Sequence, residues 1–259
     1  MQNVRGMHIG RGSTIMLKMQ KLIEGACRLG LSLTSEQIEC FQVYYDELID
    51  WNRRMNLTSI VDNDEVQVKH FLDSLTVSAA FSNIPSAVVD VGTGAGLPGV
   101  ALKIVYPDIE LTLVDSTQKK AAFLNHLVDA LKLDGVQIVA GRAEELGHDA
   151  RYRERFDAVL SRGVARMAAL AELTLPFCAV GGVLIAMKKR EDHGEVGESD
   201  AALRMLGGRL RRVVGIDLPG LSDRALVVVD KVKSTPEKYP RRSGIPQKRP
   251  LLRKAEEFS

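Results

Sequence analysis

Cysteine is scarce in this chain: three in 259 residues, at Cys27, Cys40 and Cys178. An odd, widely spaced set builds neither a disulfide framework nor a zinc site, so the expectation is three small buried thiols in a reducing cytoplasm. Aromatic residues make up only 5%, too few for an extended base-stacking platform. No apolar run reaches the roughly 20 residues that span a bilayer, which leaves no role for a membrane. The first 14 residues hold glycines and two arginines without an apolar centre, unlike a secretory signal. Residues 1–15 are therefore expected to be a disordered leader, with Met16 or Met19 as an alternative start. Net charge is also small, at +2, but it is unevenly placed. Residues 231–259 hold nine Lys or Arg against three Glu, a local +6 that leaves −4 for the rest. Two readings of that basic tail stand: an anionic macromolecular partner such as nucleic acid, or a solvated end segment.

What is present is an ordinary globular composition, 45% apolar and 26% charged. The length allows one large α/β domain with a helical appendage. Residues 16–83 read as a helical cap. Thr34 opens a capping box with Gln37, and Ile38, Phe41, Tyr45, Leu48 and Ile49 follow at helical spacing. A second cap helix is expected over 64–80, with Val66, Phe71, Leu72 and Leu75 inward. From residue 84 to 233 strands and helices alternate, the signature of a parallel sheet with both faces covered. Strands are expected at 86–91, 110–115, 136–140, 156–160, 181–187, 210–217 and 225–232, and helices at 97–105, 117–132, 166–178 and 194–206. The fold class is thus α/β: a seven-stranded, doubly wound, Rossmann-like sheet. Residues 234–259 form the basic tail, with three prolines between 239 and 251 and no periodicity.

The chemistry starts at the nonapeptide Asp90-Val91-Gly92-Thr93-Gly94-Ala95-Gly96-Leu97-Pro98, directly after the apolar Ala87-Val88-Val89. A strand ending in a glycine-rich turn that opens a helix lets backbone approach a ligand closely. A dinucleotide fingerprint is G-x-G-x-x-G, with pyrophosphate on the helix N-terminus. Here the order is G-x-G-x-G after an acid. Asp90 repels a pyrophosphate but suits the ammonium of a methionine moiety, which favours S-adenosylmethionine over NAD. Other strand ends add ligand groups to the same rim. Asp115 lies 23 positions after Gly92, where a ribose hydroxyl pair is accepted. Gly141-Arg142-Ala143-Glu144-Glu145 offers amides and an acid to an adenine edge, and Ser161-Arg162-Gly163 ends the fourth strand.

With these residues in place the chain resembles the RsmG family of bacterial small-subunit ribosomal RNA guanine-N7 methyltransferases, once called glucose-inhibited division protein B. The resemblance covers roughly residues 17–251. It rests on Trp51-Asn52 with Asn56-Leu57-Thr58-Ser59, on His70-Phe71-Leu72-Asp73-Ser74, and on the glycine loop through Gly99. Leu113-Val114-Asp115-Ser116 with Lys119-Lys120 and Phe123-Leu124, Ser161-Arg162, and Tyr239-Pro240-Arg241-Arg242 extend it. Departures are Gly163, where the family often has Ala, and Lys189, where it often has Gly.

The resemblance implies a class I methyltransferase fold, S-adenosylmethionine as donor, and a guanine in the 530 loop of 16S ribosomal RNA as acceptor, on RNA or on the small subunit. It implies cofactor contacts from Gly92, Leu97, Ala143, Glu144 and Arg162; the loop reading adds Asp90, Thr93, Gly94, Gly96 and Asp115. Guanine N7 already carries an in-plane lone pair, so no general base is expected, and catalysis reduces to holding N7 about 3 Å from the methyl carbon. Arg162 is the one charge assigned to that positioning, with the methionine carboxylate or guanine O6 as its partner and a surface salt bridge as the rival reading. His70 and Asp73 are either a reactive pair or struts between cap and sheet, and Asn56 and Thr58 either line the cleft or cap a loop. Lys119, Lys120, Lys188, Lys189, Arg190, Arg241, Arg242, Lys248 and Arg249 are expected to track RNA phosphates. Three rivals remain: a methyltransferase for protein or small molecules, a noncatalytic RNA-binding protein that holds S-adenosylmethionine, and, more distantly, an NAD oxidoreductase. A cytoplasmic monomer is expected.

Overall fold

The computed structural model describes residues 11–252. The first ten residues of the expected leader and the last seven of the tail lie outside the described residues. Residues 11–15 of the expected disordered leader are instead helical, the start of α1 (Arg11–Lys18), which is followed by α2 (Gln20–Arg28) and the long α3 (Ser35–Met55). The capping box at the start of α3 is present, with the Thr34 side chain accepting from the Gln37 amide and Gln37 accepting from Thr34. Its buried stripe runs through Ile38, Phe41, Tyr44 and Leu48. Tyr45, expected inward, is half-buried and donates to the Val61 carbonyl instead. Both tyrosines are compatible with helical spacing, and contact of Tyr44 with Phe71 and the Ala95 carbonyl selects the 3-3-4 row.

The second cap helix is continuous but not uniform. α4 (Asn63–Val66) passes into a π turn over Gln67–Leu72, then α5 (Asp73–Leu75) and a 3-10 turn over Thr76–Ala80. From His70 to Val77 every residue is buried, so this segment is covered all round rather than on one face. The Gln67 side chain joins it to α2 and α1, accepting from the Leu22 amide and donating to the Lys18 carbonyl.

The body is built on seven strands: β1 (Ala87–Val91), β2 (Glu110–Asp115), β3 (Val136–Ala140), β4 (Phe156–Arg162), β5 (Cys178–Lys189), β6 (Gly208–Gly215) and β7 (Arg224–Lys231). Helices α6 (Gly99–Val105), α7 (Gln118–Leu131), α8 (Ala143–Leu146), α9 (Met167–Thr174), α10 (His193–Glu198) and α11 (Asp200–Met205) cover the sheet, and the short α12 (Ile245–Lys248) lies in the tail. Strand order is β3-β2-β1-β4-β5-β7-β6. The sheet is mixed: β7 pairs antiparallel with both β5 and β6, which corrects the all-parallel expectation. An eight-residue link joins β6 to β7, and an antiparallel hairpin needs no crossover helix, unlike a parallel pair. The expected single helix over 194–206 is split at Ser199.

β1 and β4 are sequence-distant neighbours at the centre, and chain order reverses between them. Crevices form there, beyond the carboxyl ends of the strands. Two apolar layers flank the sheet. One joins the cap, α6 and α7; the other joins α9, α11 and the opposite sheet face. Among the described residues no helix is long and apolar enough to cross a membrane. None of their His, Cys, Asp and Glu groups is arranged to hold a metal ion.

Candidate functional site

The glycine loop leaves β1 and turns back over the end of β2. Gly92 and Thr93 amides donate to the Val114 carbonyl, and the Gly94 amide donates to Asp115 Oδ2 at 3.0 Å. Gly92 and Gly94 have φ of +75° and +61°, in the left-handed region that side chains disfavour. Their surroundings differ. A Cβ at Gly92 would lie 2.4 Å from the Val164 side chain, whereas at Gly94 it would meet open space. Gly96 and Leu97 close the loop by donating their amides to the Thr93 carbonyl, and Leu97 is buried beneath it.

Asp90 is fully buried under this loop. Its Oδ2 accepts from Thr93 Oγ1 at 2.7 Å and from the Gly99 amide at 2.9 Å, while Oδ1 has no hydrogen-bond partner. Burial pushes its pKa up to about 6, against the lowering effect of those two hydrogen bonds and Arg162. An unpartnered buried carboxylate oxygen is costly. Asp115 is buried at the next strand end. Its oxygens accept from the Gly94 amide, from the Thr117 amide and, at 3.3 Å, from Lys120.

A crevice of about 140 Å³ opens here, lined by Gly92, Asp115, Ser116, Ala143, Glu144 and residues of the C-terminal tail. It brings together the expected ribose acid and the expected adenine contacts. Val164 lines both this crevice and a second, larger cleft of about 560 Å³ under the cap. Arg162, Lys188, Lys189, His70, Asp73 and Arg224 face that second cleft.

Arg162 is anchored to the cap. It donates to the Lys69 carbonyl and to Asp73 Oδ2, both at 3.3 Å. Arg224 Nε lies 3.8 Å from Asp73 Oδ1, is buried, and has no hydrogen-bond partner. His70 and Asp73 do not bond to each other. His70 Nε2 shares a 2.7 Å hydrogen bond with Thr58 Oγ1, and the ring is held neutral by burial and by the Arg162 charge, with a pKa lowered to about 4. Burial pushes the Asp73 carboxyl upward, opposed by the two arginines. Thr58 and Asn56 act as loop caps: the Asn52 side chain brackets Thr58, and Asn56 ends α3 at φ +49°.

The expected phosphate-tracking cations do not form one surface. Lys119, Arg242, Lys248 and Arg249 are exposed. Lys188 is turned inward onto Glu195 at 2.5 Å and the Ala165 carbonyl, and Arg190 onto the Ile216 carbonyl. Lys189 pairs with Glu191. Arg241 is a correction: its guanidinium holds the fully buried Glu172, at 2.6 and 2.8 Å, so it serves the fold rather than the solvent. A buried carboxylate needs such a partner far more than an exposed phosphate contact does.

Sequence reasoning missed four participants. Tyr44 is buried and its hydroxyl donates to the Ala95 carbonyl at 2.6 Å, tying α3 to the glycine loop. Val164 carries no polar signal. Gly244 and Gln247 reach the first crevice from a segment more than 100 residues away from Asp115.

With this geometry in hand, comparison with known proteins is decisive. The profile of the family described as "GidB: rRNA small subunit methyltransferase G" matches residues 37–227. The chain belongs to the rRNA small subunit methyltransferase G family. A relative in Dehalococcoides mccartyi (strain CBDB1), called ribosomal RNA small subunit methyltransferase G, is 48% identical over 90% of this chain and 100% of its own. One of the same name in Roseiflexus castenholzii is 46% identical over 90% of this chain and 100% of its own. Solved structures agree on the fold. A SAM-dependent methyltransferase from Aquifex aeolicus has a TM-score of 0.51 at 16% identity, covering 65% of this chain and 94% of that one. The mitomycin 7-O-methyltransferase MmcR has a TM-score of 0.53 at 15% identity over 86% of this chain and 69% of that one. Family membership thus agrees with the resemblance drawn from the motifs, and the methyltransferase fold with the Rossmann-like expectation.

Proposed function

We propose that the protein transfers a methyl group from S-adenosylmethionine to N7 of a guanine in the 530 loop of 16S ribosomal RNA. The observation that carries this reading is the strand-end crevice lying beside a cation-lined cleft, with Val164 as their shared wall. The residues present fit the donor. Asp90 offers an orphaned buried oxygen to an ammonium, Asp115 and Gly92 line the crevice, and open space lies over Gly94. When bound, S-adenosylmethionine supplies an electrophilic methyl carbon.

The chain's own residues then bind, orient and exclude. Arg162, held by Asp73 and the Lys69 carbonyl, presents a fixed cation at the mouth of the second cleft. Arg224 Nε is a donor without an acceptor there, suited to a base oxygen. A nucleophile that already has its lone pair needs no proton removed, and the cleft supports that chemistry. His70 is kept neutral, is occupied by Thr58, and has no carboxylate partner to make it a stronger base. Positioning carries the rate.

The test uses small subunits from cells lacking this gene, their naked ribosomal RNA, and total protein, each incubated with methyl-labelled S-adenosylmethionine. Label is expected in the RNA of the small subunit at one guanine, at a position sensitive to N7-specific strand cleavage. Label in protein would favour the protein-methyltransferase reading, and label in none would favour a noncatalytic binder.

A further inference from the structure

We propose that the C-terminal segment is a wall of the donor crevice and that Gln247 reads the adenine edge of the ligand bound there; this rests on the donor reading above. Gly244 and Gln247 line the same crevice as Asp115, Ser116, Ala143 and Glu144. The segment is built into place rather than laid on the surface. The Arg241 amide and guanidinium grip the buried Glu172, Arg153 donates to the Tyr239 and Thr235 carbonyls, and His148 Nε2 donates to the Pro240 carbonyl at 2.7 Å. Arg241 also reaches forward to the Arg249 carbonyl, closing the turn that carries α12.

Among the polar side chains lining the crevice, one carries an unengaged donor and an unengaged acceptor on separate atoms, side by side. Asp115 is engaged by two backbone amides and Lys120. Glu144 Oε1 accepts from the Gly244 amide at 2.8 Å, so this crevice side chain also pegs the wall in place. Arg142 carries only donors. Gln247 is exposed, lines the crevice, and takes part in no hydrogen bond among the described residues. An amide presents one donor and one acceptor side by side, the complement of the N6 amino group and N7 of adenine. A guanidinium or a carboxylate cannot offer both.

The closing experiment is calorimetric titration of the full-length protein and Gln247→Ala with S-adenosylhomocysteine and with S-inosylhomocysteine, whose purine has a 6-oxo group in place of the amino group. Wild type is expected to prefer the adenosyl ligand about tenfold, the scale of one good bidentate contact. In Gln247→Ala that preference collapses, because adenosyl affinity falls while inosyl affinity holds; an unchanged melting temperature confirms an intact fold. Equal preference in variant and wild type would overturn the role of Gln247. No binding of S-adenosylhomocysteine by wild type would overturn the donor reading itself, a distinguishable failure.

Discussion

Burial disfavours the charged forms of both Asp90 and His70, and the consequences for stability have opposite signs. The pKa of His70 is depressed in the fold to about 4, so the unfolded chain binds more protons between that value and the ordinary 6.5. Its contribution is present above pH 6.5 and is lost as pH falls towards 4. The Asp90 value is raised to about 6, so the folded chain binds more protons between 3.8 and 6, and stability falls as pH rises through that window. Between pH 4 and 6 the two slopes oppose each other. Asp90→Asn removes one of them: relative to wild type, the variant should gain about 2–3 kcal/mol between pH 4 and pH 7, measured by urea denaturation. A difference that stays flat with pH would mean that Asp90 titrates like a surface carboxyl. Above pH 6 the ionised Asp90 is a buried charge with one unpartnered oxygen, which the proposed reading gives to a ligand ammonium. Affinity for S-adenosylhomocysteine should accordingly weaken as pH drops below about 6, and in Asp90→Asn it should be lower and nearly independent of pH.

The cap is bonded to the loop it covers, and that bond lies between elements rather than within one. Tyr44 on α3 donates to the Ala95 carbonyl, and Gln37 of the same helix donates to the Ile104 and Val105 carbonyls at the end of α6. Tyr44→Phe leaves the Ala95 carbonyl without that donor in a buried setting, a loss of about 1–2 kcal/mol. Thermal denaturation should show it, and amide exchange should quicken at Gly94 and Gly96 while α9 keeps its protection. Uniform loss of protection would make Tyr44 a general core residue. The sequence showed α3, its capping box and the glycine turn, because local spacing and cap chemistry are written in neighbouring residues. It misplaced the inward tyrosine, since Tyr44 and Tyr45 differ only in which one meets a loop 50 residues away. The reversed strand β7 was illegible for a similar reason. A buried antiparallel strand and a buried parallel one are the same run of Val and Leu, and direction is set by the partner. Glu172 gave no signal at all. Its role exists only because Arg241 reaches it across 69 residues.

At the scale of the molecule, charge is separated but not all of it is available. The tail's excess of +6 suggested a phosphate-tracking segment, yet Arg241 is spent on Glu172 and Lys231 is fully buried against the Leu175 carbonyl, Thr235 and Glu154. Arg242, Lys248 and Arg249 remain at the surface on the segment that walls the first crevice. A phosphate contact releases counterions, and each one adds roughly 0.7 to the slope of log affinity against log salt on single-stranded RNA. Replacing these three with Ala should weaken binding of small-subunit RNA and reduce the slope by about 2, with the fold unaffected because none of the three side chains holds an ion pair among the described residues. Arg241→Ala should behave differently. It leaves Glu172 buried and unpaired, a cost of about 3–5 kcal/mol, and should lower the melting temperature while the RNA salt slope of the folded fraction stays near wild type. If instead the three-residue variant keeps its slope and Arg241→Ala loses it, Arg241 leaves Glu172 for the RNA, and binding is coupled to release of the tail.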